Sequence, residues 1–461
     1  MTSVKRSYCV VGGGISGLTA AYRLRQTAGD QASITLFEPS DRLGGVLRTE
    51  QVGGVAVDVG AEAFVVRRPE IPELLAELNL ANEQLGTTGA RPLIYSQQRL
   101  HPLPTGTLNG IPSSAESMAG LVNDATLARI AAEPDLPLNW QPGADPAVAD
   151  LLADRFGEQV LARSVDPMLS GVYAGSSATI GLRSAAPTLT AALDAGATSV
   201  TDAVRRALLS VTAGPIFGAV GGGYAVLVEE LFRRGRFHWV QAAVDTVGAD
   251  GQGWTLHDAT GQEWHADAVI FAVPAARLAK LVGTLAPRTA AAAGRIESAS
   301  SAVLAMAVPR GVAFPQNSGV LVASGERLHA KAITLSSRKW GRRTDVELLR
   351  LSFGRFGDSA ENNPAIRASD DELLAWALED LSAVFDLTVE PVDVHVQRWP
   401  DAMPQYGPGH RGLVAELRAG LPRTWQVAGS YLDGIGVPAC VGAAGRAAAA
   451  AVRSVETPVA P

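Results

Sequence analysis

The sequence predicts an α/β chain, α+β when taken whole, on three observations. Residues 8–11 form a short apolar run that breaks into three consecutive glycines, and residues 18–24 and 34–37 continue it as a helix and a second strand. That order is a βαβ opening. Residues from about 70 to 215 change character, with helix-like stretches at 72–80 and 146–156 and breaks at Pro102, Pro104 and Pro112. From about 216 strand patterns return, at 254–257, 268–273, 302–308, 347–353 and 392–396, with a helix expected over 370–384. The chain closes on a strand at 425–428, a glycine-rich turn and an alanine-rich helix near 442–452, and the tail after Glu456 reads as frayed.

A length of 461 residues is about three domain lengths of roughly 150 each and can bury a sizeable core. Hydrophobic residues at 47% and charged residues at 18% exclude a disordered chain. The net charge of −7 argues against a nucleic-acid partner, which needs a basic footprint. It also means that an anionic ligand must find local cations. Cys9 and Cys440 form no disulfide framework or metal spacing, and Cys9 in its apolar run reads as a buried, inert thiol. This usage fits a reducing cytoplasm. No signal-type segment and no apolar run of about 18 residues occurs, which leaves at most peripheral membrane contact.

Gly12, Gly13, Gly14, Ile15, Ser16 and Gly17 fit G-x-G-x-x-G directly after a strand. The first glycine permits a tight turn, the second a close approach of backbone to a pyrophosphate, and the third close helix–strand packing. The helix that follows turns its unpaired N–H groups and positive dipole end toward the phosphates. Glu38 and then Pro39 close the second strand, about 20 residues beyond the last glycine, where a carboxylate accepts from ribose hydroxyls.

Arg42-Leu43-Gly44-Gly45, with Thr49 beyond, resembles the R-x-G-G-x-x-x-S/T element of the amine-oxidase and phytoene-desaturase superfamily. The resemblance implies FAD rather than NAD, with Arg42 near the phosphates. Asp58-Val59-Gly60-Ala61-Glu62 resembles the segment that runs along the flavin ring in that superfamily. Residues 425–429 and 433–445 resemble its last strand, turn and helix. FAD contacts are therefore also expected from Val46, Ala63, Val244, Trp399, Ile435, Gly436 and Val437.

Further segments resemble one branch, the porphyrinogen oxidases of heme synthesis. They are residues 62–69 (E-A-F-V-V-R-R-P), 100–104 (L-H-P-L-P), 110–112 (G-I-P) and, most specific, 170–175 (S-G-V-Y-A-G). The resemblance spans about residues 5–452. It implies removal of six electrons from coproporphyrinogen III, passed through FAD to oxygen with release of hydrogen peroxide. It also implies transient contact with a ferrochelatase. Arg67, Arg91 and Gly175 are the expected substrate contacts, arginine suiting propionates because its planar fork donates in pairs. The expected division is an FAD-binding part from 1–75, 216–285 and 400–456, a mainly helical part at 76–215 and a mixed-sheet substrate part at 286–399.

Several residues read as structural instead. His101 lies in a proline-marked turn, His265 and His410 lack partners at useful spacing and count as surface, and the basic cluster Arg338, Lys339, Arg342 and Arg343 around Trp340 reads as a solvated face. No nucleophile–base or metal constellation stands out, so no catalytic side chain is expected and the cofactor carries the chemistry. Rival readings are a protoporphyrinogen IX oxidase, a carotenoid desaturase, an amine oxidase with Trp399, Tyr406 and Tyr431 as its aromatic cage, and a non-catalytic flavin- or porphyrin-binding protein.

Overall fold

The computed structural model describes residues 6–210, 214–249, 251, 253–357 and 363–456. The tail after Glu456 lies outside these described residues. The elements that place the site are, in chain order, β1 (Ser7–Val11), α1 (Ile15–Ala28), β2 (Ser33–Phe37), β3 (Thr49–Val52), β4 (Val55–Asp58), β5 (Leu93–Ser96) and β6 (Arg99–Pro102). There follow α2 (Asp166–Tyr173), α3 (Tyr224–Gly235), β7 (His238–Val240), β8 (Ala268–Phe271), β9 (Ser298–Pro309) and β10 (Gly319–Val322). The last are β11 (Ala330–Leu335), β12 (Val346–Phe353), α4 (Asp370–Phe385), β13 (Asp393–Pro404), β14 (Trp425–Val427) and α5 (Val437–Glu456).

Five strands form a parallel sheet in the order β7-β2-β1-β8-β14. Both faces are covered, which is why β1 and β8 are apolar throughout instead of alternating. Tyr8, Val10, Ile34 and Leu36 join α1, α3 and α5 in one core. Cys9, Val11 and Phe37 face a second core, which also holds Val244, Leu256 and Ala266. The helix Pro287–Gly294 buries Ala292 and Ala293 in that second core, beyond the expected break at residue 285.

A seven-stranded mixed sheet follows the order β13-β9-β12-β11-β10-β5-β6. Helix α4 packs on one face through Leu373, Ala377 and Leu381. Helix α2 lies toward β10 and β11. The expected division is redrawn here. Residues 93–102, expected within the helical part, pair as β5 and β6 at the sheet's end, and β13 continues the sheet to Pro404. The helical core is built from residues 111–208, with Ile94, Ala323 and Tyr406 entering from the sheet side. The last helix starts at Val437, ahead of the expected 442, because its alanines bury continuously against α1.

Candidate functional site

The turn after β1 is built for backbone contact. Gly12 has φ +110°, and a Cβ on Gly17 would overlap the Gly12 carbonyl oxygen, so helix and turn touch only because both are glycine. Gly14 differs. A Cβ there would meet nothing nearer than Gly45 Cα at 3.9 Å, so the opening it faces belongs to a ligand and not to the chain. Gly14, the N-cap of α1, offers no side-chain cap, and the first turn of Ile15, Ser16 and Gly17 carries no acidic residue. These are the features of a helix end that receives an anion.

Glu38 lies at the end of β2, where its Oε2 accepts from Gly13 N at 2.9 Å and its Oε1 from Ser40 Oγ. Pro39 beside it is exposed, and Val244 is buried with its carbonyl held by Arg277. The second glycine pair closes over the first: Gly44 N donates to Gly13 O at 2.9 Å. Arg42 donates to the carbonyls of Leu43, Gly45 and Leu47 and so braces this loop from within.

Asp58, noted in the sequence only as part of a motif, caps α3. Its Oδ1 accepts from Tyr224 N at 3.0 Å and from Thr49 Oγ1 at 2.6 Å. Burial pushes its carboxyl up to about 6 despite those two hydrogen bonds.

The following residues pack edge to edge with the glycine loop. Ala61 N donates to Val46 O, Trp399 Nε1 to Val59 O and Arg350 Nη2 to Gly60 O. A Cβ on Gly60 would overlap the Val46 carbonyl. Val46 itself is left 39% exposed, an apolar residue open to a ligand. Ala63 is half-buried beside Glu62.

Glu62 gathers a cluster that sequence reasoning missed. Lys339 Nζ stands 2.6 Å from its Oε2 and Arg350 Nη1 3.3 Å. Trp340 Nε1 and Ser336 Oγ donate to Oε1 at 3.0 and 3.2 Å. Burial opposes the charge, but Lys339 and Arg350 outweigh it and hold the carboxyl at about 2. The expected solvated face is thus corrected: Lys339 and Trp340 are turned inward, Arg338 donates to Phe314 O and Pro315 O, and Arg342 to Ala56 O. The sequence signal was Trp340 itself, since a large aromatic inside a basic run buries and draws its neighbours with it.

At the far end, Ile435 is half-buried against the helical core, Gly436 is exposed and Val437 begins α5. Tyr406 bridges this turn, accepting from Gly434 N and donating to Ser430 O. Tyr406 also stacks on His410 at 4.0 Å. His410 is 4% exposed and shares its Nε2 with Tyr431 O, so the expectation of a surface histidine is corrected. Tyr431 is buried in the second core and Trp399 is engaged with Val59, so the three aromatics form no common cage.

Gly175 is buried, with Gln405 Oε1 2.5 Å from where a Cβ would stand. Arg67 is exposed just after the strand Phe64–Val65. Arg91, exposed and just ahead of β5, donates to Leu103 O and Pro104 O at 3.1 and 3.2 Å. Among the described residues, no group of three or more His, Cys, Asp or Glu could hold a metal ion, and no helix is long and apolar enough to cross a membrane.

A parallel sheet with a glycine turn at a bare helix end, closed by a second glycine loop, is the frame of a flavin-dependent oxidoreductase. Residues 15–452 match the family described as flavin containing amine oxidoreductase, and the chain belongs to it. It is 70% identical over 455 residues to the coproporphyrinogen III oxidase of Mycobacterium tuberculosis (strain H37Rv), covering 99% of both chains. To that of Mycobacterium leprae it is 68% identical, covering 97% of this chain and 98% of that one. A putative protoporphyrinogen oxidase structure from Exiguobacterium sp. 255-15 shares the fold with a TM-score of 0.87 at 24% identity, covering 98% of this chain and all of that one. The cofactor is accordingly a flavin.

Proposed function

We propose that this chain is an FAD-dependent, oxygen-dependent oxidase that converts coproporphyrinogen III to coproporphyrin III in heme synthesis. The observation that carries the reading is 70% identity, across almost the whole of both chains, with a relative of that name. The adenosine end of FAD would lie against Glu38, Pro39 and Val244. Its pyrophosphate would lie across Gly12, Gly13, Gly14 and the 44–45 loop, and its ring along Val46, Gly60, Ala61 and Ala63, with Trp399, Ile435, Gly436 and Val437 closing around it. The cradle fits such a group because a Cβ on Gly14 would meet no chain atom nearer than 3.9 Å and Val46 is left partly exposed.

Bound there, a flavin would supply the two-electron acceptor for each of the three oxidations, with oxygen as the final acceptor and hydrogen peroxide as its product. The chain's own work is placement. The Glu62 cluster fixes the backbone along the ring edge, and Trp399 and Arg350 hold the carbonyls of Val59 and Gly60. Gly175 lets the 173–175 turn pack closely on Gln405 and Ile180, which sets that turn beside the proposed substrate space. Arg67 and Arg91 meet propionates, Arg91 keeping its charge in place through its two carbonyl contacts. No side chain serves as an obligatory base, and the pyrrole protons leave to solvent. The reading carries a cytoplasmic enzyme with at most peripheral membrane contact, which hands its product to a ferrochelatase.

Two measurements test it. Acid precipitation should release FAD to the supernatant, and air oxidation of coproporphyrinogen III should yield one hydrogen peroxide per electron pair. Flavin kept in the pellet, FMN in place of FAD, or product formed without peroxide would each remove the reading.

A further inference from the structure

We infer that Lys331 and Arg355 form an inner cationic subsite that receives one propionate carboxylate of the macrocycle. This rests on the substrate reading above and names a place for the charge that Arg67 and Arg91, both exposed, leave unserved.

Lys331 sits where the β11–β12 register shifts between Ala330 and Ala332, a bulge that re-aims the side chain away from the α4 core. It is only 4% exposed, and its Nζ donates to Gly354 O at 2.8 Å. Arg355 follows Gly354 directly and is half-buried. Among the described residues neither cation forms an ion pair within 4.0 Å. Asp166 acts on Arg355 from farther off, its oxygens already taken by Ser177 N and Ser324 Oγ. On the other side of β11, Asp380 spends both oxygens on the N–H groups of His329 and Ala330. The protein does neutralise buried cations elsewhere, with Glu62 between Lys339 and Arg350. Among the described residues, then, no carboxylate acts on Lys331 and only the distant Asp166 on Arg355, an arrangement that costs stability and suits a ligand that brings negative charge.

The pair lies against the S-G-V-Y-A-G segment. Phe356 N, next to Arg355, donates to Ala174 O at 2.7 Å. Gln405 Nε2 donates to Tyr173 O at 2.7 Å, while its buried Oε1 has no partner and faces Gly175. Two cations beside this turn match a macrocycle edge that presents a carboxylate. An ammonium and a guanidinium fork are the pair that carboxylate recognition calls for.

Burial, and then Arg355, push the Lys331 ammonium down to about 7. A carboxylate arriving beside it favours the charged form, so binding takes up protons near neutral pH and weakens as pH rises above that value. The test uses the flavin-loaded enzyme and coproporphyrin III, the air-stable product, with Kd read from fluorescence quenching and proton uptake in weak buffer. Lys331→Met should raise Kd about tenfold or more and abolish the uptake. Lys331→Arg should keep the affinity and lose its pH dependence, and Arg355→Gln should raise Kd with uptake retained. Where Lys331→Met does not fold, the other two variants carry the test. Unchanged Kd and unchanged uptake in folded, flavin-loaded variants would overturn the subsite. If such variants leave coproporphyrinogen turnover intact the subsite alone falls, whereas absence of turnover in the unmodified enzyme removes the substrate reading itself.

Discussion

Lys339 Nζ stands 2.6 Å from Glu62 Oε2, joining the segment along the proposed flavin ring to a short helix of the mixed sheet more than half the chain away. Arg350 shares the same oxygen, so one carboxylate neutralises two cations that are nearly out of water. Removing it strands both. Glu62→Ala should lower unfolding free energy by about 3–5 kcal/mol, and Glu62→Gln by less, since the amide keeps an acceptor. The folded-state pKa of about 2 lies below the ordinary 4.5, so this stability is present above about pH 4.5 and is lost as pH falls toward 2. Acid titration of thermal unfolding should show that limb in the native protein and its loss in Glu62→Gln.

The two glycines of the first turn should separate folding from cofactor binding. Gly17→Ala places a methyl on the Gly12 carbonyl and should impair both. Gly14→Val has room within the chain, with only Gly45 Cα near its Cβ, and should unfold as cooperatively as the native apoprotein yet purify colourless. A yellow Gly14→Val protein would place the pyrophosphate elsewhere.

Asp58 works in the opposite sense to Glu62. Its folded-state pKa of about 6 lies above the ordinary 3.8, because burial outweighs the hydrogen bonds from Thr49 and Tyr224. The folded state therefore holds the extra proton, and stability from this residue falls as pH rises from about 4 to 6. Asp58→Asn keeps an acceptor for Tyr224 N without the charge. It should match the native protein near pH 4 and exceed it at pH 7–8 by about 3 kcal/mol. Equal stability differences at both pH values in chemical denaturation would contradict this.

The parallel sheet and its glycine turn were legible because each rests on local rules: an apolar run buried on both faces, then glycines that a helix–strand contact requires. Glu38 followed from spacing alone. The Glu62 cluster was legible only through Trp340 beside Lys339, since Lys339 and Arg350 reach Glu62 only through the folding of the mixed sheet. Lys331 left a fainter trace, one cation in the apolar run A-K-A-I-T-L, which a period-two reading passes over because the bulge breaks the alternation. The helical part's boundary failed for a related reason. Residues 93–102 are short strands whose partner, Val320 to Val322, lies far along the chain.

The central claim is a preference for the tetracarboxylate, and side-by-side steady-state kinetics on coproporphyrinogen III and protoporphyrinogen IX test it most directly. The account predicts higher kcat/KM for coproporphyrinogen III. It also predicts a KM that climbs with ionic strength while kcat holds, and a narrower gap between substrates in Arg67→Ala. Protoporphyrinogen IX turning over faster at every salt concentration, with Arg67→Ala affecting both substrates alike, would contradict it.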